Sequence, residues 1–195
     1  MSKRVITINR MFGSNGRVIG KALAEELGIN FYDKELIEMA SKERQVPFDV
    51  FAKVDEKKAS QWRYTVDHEI QIDPELHFIP MNDVLYDTQR KLIVDLAASE
   101  DCVIVGRCAN HILLDKTLSI FIYAPFDYRV ATVIERTGRE EKSARKLVKK
   151  MDKERRAYYE YFTDSKWTDL NQYNLCIDSS RFTNEQIVTM IKSCL

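Results

Sequence analysis

The sequence predicts an α/β fold, a three-layer α/β/α sandwich on a parallel sheet of about five strands. Three observations lead there. Short apolar runs alternate with longer stretches whose apolar residues recur every three to four positions, the order of a doubly wound sheet. Two of the runs, "CVIVG" and "LSIFIYA", are apolar almost throughout, as strands covered on both faces are. Polar or glycine-bearing segments follow the strands, at the carboxyl ends where ligands of such sheets bind.

The first strand is "VITIN", and a helix follows near residues 18–27 with Ile19, Leu23 and Leu27 on one face. Gly28 stands where that helix should stop. "INFYD" (residues 29–33) is a brief strand leading to a helix near 34–43. Residues 45–81 differ: the periodicity is irregular, with three prolines and the aromatics Trp62 and Tyr64. This stretch reads as a partly helical insertion, bounded at about 45–82, in an otherwise single domain. Alternation then resumes. A helix at 83–99 carries Leu85, Leu92, Ile93 and Leu96, followed by "CVIVG" (102–106), a short helix at 109–114 and "LSIFIYA" (118–124). A helix at 126–136, a charged helical stretch at 140–162, the strand "YNLCID" (173–178) and a last helix capped by Thr183 complete the order.

Composition excludes several classes. Thirty basic residues balance thirty acidic ones, so no net field draws in nucleic acid or an anionic membrane. No apolar run reaches the roughly 18 residues that span a bilayer, and "MSKRVITI" lacks the apolar stretch of a secretory signal. A cytoplasmic protein is the expectation. Cys102, Cys108, Cys176 and Cys194 form no Cys-x-x-Cys pair, and His68, His77 and His111 are scattered, so metal-ligand spacing is absent. Cys102 and Cys176 read as buried, reduced thiols.

The first strand runs into "NRMFGSNGRVIG". Backbone amides of Gly13, Ser14, Asn15, Gly16, Arg17 and Val18 can form a phosphate-binding nest, with the positive end of the next helix behind them. A phosphate loop usually closes in Gly-Lys-Ser/Thr, whereas this one reads Gly16-Arg17-Val18. In that alignment Arg17 stands in the lysine's place, with a permanent charge and a fork that clamps two oxygens. Val18 and Ile19 offer no hydroxyl to Mg²⁺, and Lys21, one turn on, faces solvent. The competing reading is a tight glycine turn with a solvated arginine.

With "FYDKELI", "VIVGRCAN", "IFIYAPFDYRV", "MDKERRAYYEYF" and "YNLCIDSS" in this order, the chain resembles a nucleoside monophosphate kinase. It is most similar to the cytidylate kinase-like branch of the P-loop kinases, over nearly its whole length. The resemblance implies ATP-dependent phosphoryl transfer to a nucleoside monophosphate, with ATP and Mg²⁺ as cofactors. The partners it implies are a triphosphate donor and a small phosphorylated acceptor. It assigns Asp33 and Arg107 to the acceptor, and the loop residues with Arg136 and Ser179 to the donor. The family's aspartate after Arg107 is Cys108 here, its serine after Asp33 is Lys34, and a nearby family arginine is Met39. Residues of about 137–165 match the lid, in which Arg155 or Arg156, with Arg17, would neutralise transition-state charge. Asp152, three residues before Arg155, can orient it, and Tyr159 shares that face.

Plainer readings stay open: Asp33 as a helix N-cap, the lid as a solvated helix of ion pairs, Ser179 and Ser180 as an ordinary turn. So do two other functions, a nucleotide-binding module with lost or weak transfer and a kinase of a non-nucleotide metabolite. The missing Lys-Ser/Thr, Met39 and Cys108 favour the first of these.

Overall fold

In β1 (Val5–Arg10), successive side chains enter opposite cores, and this alternation explains the near-continuous apolar runs. Ile6 and Ile8 pack in one core, while Val5 enters the other. β3 (Cys102–Val105) behaves likewise, sending Val103 and Val105 one way and Cys102 and Ile104 the other. Each of those four is fully buried. With β2 (Asn30–Tyr32), β4 (Leu118–Tyr123) and β5 (Leu175–Asp178) they form a five-stranded sheet in the order β2-β3-β1-β4-β5. Every pairing is parallel, with Ile6 opposite Val103 on one side and Leu118 on the other. The first and third strands are thus internal and buried, as their composition requires. This computed structural model describes residues 3–57, 80–114 and 117–195. Trp62, Tyr64, His68 and His77, with most of the expected insertion at 45–82, lie outside the described residues.

The helices are α1 (Gly16–Leu27), α2 (Glu35–Arg44), α3 (Phe48–Val54), α4 (Met81–Ser99), α5 (Ala109–Leu113), α6 (Phe126–Thr137), α7 (Glu141–Thr163) and α8 (Asn184–Lys192). α1 and α8 cover one face of the sheet through Ile19, Leu23, Ile187, Val188 and Ile191. α2, α4 and α5 cover the other through Leu36, Ile93, Ala109 and Leu113. Beyond β4 on that side, Phe121 meets Tyr158, Tyr159, Trp167 and Tyr173 in an aromatic cluster. α7 lies along α6, joined by Val130, Val133, Ala144 and Val148.

Several boundaries move from their expected places for local reasons. β1 runs one residue further, because Arg10 still pairs with Ile122 of β4. α1 starts at Gly16, two residues early, because Asn15 turns the chain in the left-handed conformation at φ 64°. The last strand opens at Leu175 and not Tyr173, since a 3-10 turn at Leu170–Gln172 precedes it. Thr183 caps α8 with a full capping box, its hydroxyl accepting from the Gln186 amide. All four cysteines are unpaired, and burial, helped by Glu100 and Asp101, pushes the Cys102 thiol up to about 12. Among the described residues no helix is long and apolar enough to cross a membrane.

Candidate active site

The loop after β1 is fastened from below. The Ser14 hydroxyl proton is shared between the carbonyls of Met11 and Ile122, each 2.9 Å away. Phe12 is held from both ends: its amide donates to Asp152 Oδ1 at 2.8 Å, and its carbonyl accepts from Arg129 at 3.0 Å. Arg129 and Asp152 close the clamp with a 2.5 Å ion pair. At Gly13 (φ 83°) a Cβ would stand 2.6 Å from the Arg129 carbonyl, so only glycine fits both the dihedral and the space. The Ile19 amide reaches Asn15 O at 2.9 Å, which leaves the amides of Gly16, Arg17 and Val18 at the open start of α1.

Above the loop lies a cavity of about 400 Å³ at the carboxyl ends of β1, β2 and β3. Its wall is charged. Arg10, the last residue of β1 and only 5% exposed, forks onto Glu56 at 2.6 and 3.0 Å. Its stem passes over Gly16, where a Cβ would meet Arg10 Cβ at 2.5 Å. Its head lies against Gly106, where a Cβ would meet Arg10 Nη1 at 2.2 Å. Arg107 forks onto Asp55 at 3.1 and 2.8 Å and donates to Asp33 at 2.9 Å and to the Val105 carbonyl at 3.1 Å. The turn carrying it is strained: Gly106, Arg107 and Cys108 all have positive φ. Arg17 Nε reaches Asp33 Oδ2 at 2.5 Å. Arg155, from α7, donates to the Arg10 carbonyl at 3.3 Å and brings its Nε within 3.4 Å of Glu56.

The electrostatics follow from burial and pairing. Burial works to raise Glu56, but Arg10, Arg155 and Arg107 overcome it and hold it well below the ordinary carboxylate range. Asp33 is also held down, by Arg107 and Arg10 against its burial. Asp55 goes the other way, since burial and the neighbouring Glu56 charge outweigh Arg107. Burial, then the positive charge of Arg10, pulls Arg155 down to about 10. Cationic charge around Arg155 is therefore only partly matched.

The structure brings many of the sequence-chosen residues together. Gly13, Asn15, Gly16, Arg17, Asp33, Arg107, Arg136 and Arg155 all line the cavity. Arg136, itself exposed, donates to the Asn15 side chain. Others lie elsewhere. Val18 points outward, 44% exposed, and the Ser14 hydroxyl is occupied beneath the loop. Arg156 is exposed on the far side of α7, away from the lining. Ser179 is buried behind the tip of β4, bonded through Oγ and amide to the Tyr123 carbonyl, and does not reach the cavity. Asp152 orients the Phe12 amide and Arg129, not Arg155. Tyr159 accepts from Asn110 in the core. Asp33 does not cap α2: its carboxylate faces arginines, and Lys34 holds the cap position without a side-chain bond.

Four contributors escaped the sequence reading: Arg10, Asp55, Glu56 and Arg129. An arginine ending an apolar strand was the available signal for Arg10. The fork partners of the carboxylates are 46 and 52 residues away, and no local pattern announces them. Among the described residues no cluster of three or more His, Cys, Asp or Glu could hold a metal ion. Magnesium needs oxygen ligands, yet the helix start offers Arg17 and Val18, and Asp33, Asp55 and Glu56 are each committed to arginine. The described residues of this site do not fit a protein-held magnesium.

Comparison with known proteins places this site in context. A family model described as the cytidylate kinase-like family matches residues 5–181. The chain is 24% identical to a cytidylate kinase of Methanopyrus kandleri, covering 98% of this chain and 92% of that protein. It is 26% identical to a cytidylate kinase of Methanococcoides burtonii, covering 98% and 96%. Among solved structures, an uncharacterized protein of Eubacterium ventriosum is similar at TM-score 0.69 and 30% identity, covering 98% of this chain and 99% of that one. A shikimate kinase of Bacteroides thetaiotaomicron shares the fold at TM-score 0.57 and 15% identity, covering 98% and 97%.

Proposed function

Since the chain belongs to the cytidylate kinase-like family, we propose that it transfers a phosphoryl group from ATP to a nucleoside monophosphate. The observation that carries this is the convergence of Arg10, Arg17, Arg107, Arg136 and Arg155 with the open start of α1 on one cavity. Phosphoryl transfer asks a protein mainly to position reactants and neutralise spreading charge, which such a wall does.

The register of the loop decides which cation takes the lysine's part. The pattern Gly-x-x-x-x-Gly-Lys-Ser/Thr, laid without gaps so that its second glycine falls on left-handed Asn15, starts at Arg10. Gly16 then takes the lysine's position and Arg17 the hydroxyl's. A side chain at Gly16 would collide with Arg10, so the two positions have exchanged glycine and cation. In this reading Arg10 contributes the phosphate-side charge from the end of β1, and Arg17 belongs with Asp33 on the acceptor side. Amides of the loop cradle the donor phosphates, with Arg136 and Arg155 over them. Arg107 is nearly saturated by Asp33, Asp55 and Val105, so it positions carboxylates. Ionised Asp33 accepts hydrogen bonds from the acceptor. α7 serves as the lid over the phosphates, and residues of about 45–82 as the acceptor subdomain.

The test is steady-state transfer from ATP to a panel of nucleoside monophosphates, read beside calorimetric binding. Arg10→Ala and Arg155→Ala are each expected to lower turnover by on the order of 100-fold and ATP affinity by less, because charge develops during transfer. Lys146→Ala, on the outer face of α7, should leave both unchanged. Wild-type protein that binds ATP but transfers to no acceptor would favour the second reading, a nucleotide-binding module. That reading draws on the absence of any hydroxyl at Arg17 and Val18.

A further inference from the structure

Glu56 has no part in the phosphoryl chemistry just described, yet it sits in the middle of the cationic wall. Its two oxygens take the Arg10 fork at 2.6 and 3.0 Å. Oε1 also receives the Arg107 amide at 3.4 Å, and Oε2 lies 3.4 Å from Arg155 Nε. A planar fork, a second guanidinium and a backbone amide on one pair of oxygens is how proteins bind an oxyanion. Gly106 makes the room: a Cβ there would be 2.1 Å from Oε1.

Two further observations show that a carboxylate leaves this cage short of oxygens. Among the described residues, Arg10 Nε and Arg155 Nε are buried without a hydrogen-bond partner. Arg155 is close enough to Glu56 to attract it but misaligned for a bond. Tetrahedral phosphate brings more acceptor oxygens than a carboxylate, spread in three dimensions. Glu56 is also held by a backbone that only glycine adopts easily, at φ 51° in the turn just past α3. The neighbouring Asp55 keeps its own fork on Arg107, so the turn has an anchor that does not depend on Glu56.

We propose that Glu56 is a resident counter-anion. It occupies an oxyanion subsite formed by Arg10, Arg155 and the Arg107 amide, and an incoming phosphoryl group must displace it. The proposal rests on reading this cavity as the phosphoryl site. It adds that the empty site is self-neutralised, so stray anions bind poorly and donor binding is coupled to release of Glu56 and Lys57, with Asp55 still paired to Arg107.

The probe is inorganic tripolyphosphate, titrated into the full chain by calorimetry. Glu56→Gln, which removes the competing charge, is expected to bind it roughly ten-fold more tightly than wild type. Equal or weaker binding by Glu56→Gln, or no binding to either protein, overturns the proposal and leaves Glu56 as a clamp that orders Arg10. Hydrogen exchange on wild type provides a reading that does not depend on the variant folding. Amides 56 and 57 should exchange faster with saturating tripolyphosphate, and unchanged exchange there overturns the idea. The same gain with ATP assigns the displacing group to a nucleotide, and a gain limited to tripolyphosphate assigns it to free polyphosphate; both keep the subsite. Displacement without transfer to any acceptor would sink the kinase reading and leave this one standing.

Discussion

Arg10 and Gly16 share one volume, and each explains the other. The cost of a side chain at position 16 comes from space alone, since its Cβ would lie 2.5 Å from Arg10 Cβ, an atom fixed to the β1 backbone. Gly16→Ala is therefore expected to destabilise the protein by about 1–3 kcal/mol, read by urea unfolding, and to weaken triphosphate binding as Arg10 is pushed aside. Gly20→Ala, also in α1, is the control: its Cβ meets Ile8 Cδ1 at 3.0 Å, the far end of a flexible side chain, and should cost less. At this scale the sequence was half legible. Arg17, Asp33, Arg107 and Arg155 were found because they follow strands or sit on a charged helix. Glu56 and Asp55 were not, because an irregular stretch hides the fact that two partly buried carboxylates pack against arginines from β1 and the β3–α5 turn.

Among the elements, α7 does more than cover. Through Asp152 it grips the Phe12 amide and, with Arg129 of α6, fixes the loop after β1, the proposed seat of the donor phosphates. Asp152→Asn keeps the shape and an acceptor for the amide but leaves buried Arg129 without its counter-ion. We expect a loss of about 1–3 kcal/mol, modest because Asp152 is partly exposed, visible as a lower melting temperature. Turnover should fall further than stability alone explains, because the loop loses its position. The i,i+3 spacing of Asp152 and Arg155 suggested an intrahelical pair. Tertiary packing overrode it: Asp152 turns to Arg129 and the Phe12 amide, while Arg155 reaches the Arg10 carbonyl and Glu56. The elements themselves were legible to within a few residues, since period-3.6 and continuous apolar patterns report burial directly. Their ends were set by what the pattern omits, such as left-handed Asn15 before α1.

The molecule as a whole should respond to acid through the same wall. Glu56 and Asp33 are held below their unfolded values of about 4.3 and 3.9, so their contribution is full above those values. It is lost as pH falls through the lower folded values. Asp55, held up by burial, has the opposite sign: its contribution is greatest in acid and fades as pH rises through its folded value. Two carboxylates against one predict a melting temperature that drops as pH falls below about 4.3. Glu56→Gln should show a shallower drop, by the contribution of one proton. Melting curves across pH 3–7, on the order of half a unit apart, would show it, and an identical slope in the variant would remove Glu56 from the account. A parallel sheet of about five strands with helices on both faces was legible at this scale, because alternating apolar strands and helices admit few topologies. The order β2-β3-β1-β4-β5 was not, since it depends on crossovers that no local pattern reports.

The proposed exchange of glycine and cation across the loop also bears on which substitutions such a site accepts. Placing a lysine at position 16 while Arg10 remains forces two side chains into one space. Removing Arg10 first strands Glu56 in the interior with much of its countercharge gone. Each single step carries its own cost, and the two positions are coupled. A glycine at position 16 and an arginine at the end of β1 are therefore expected to be kept together or changed together.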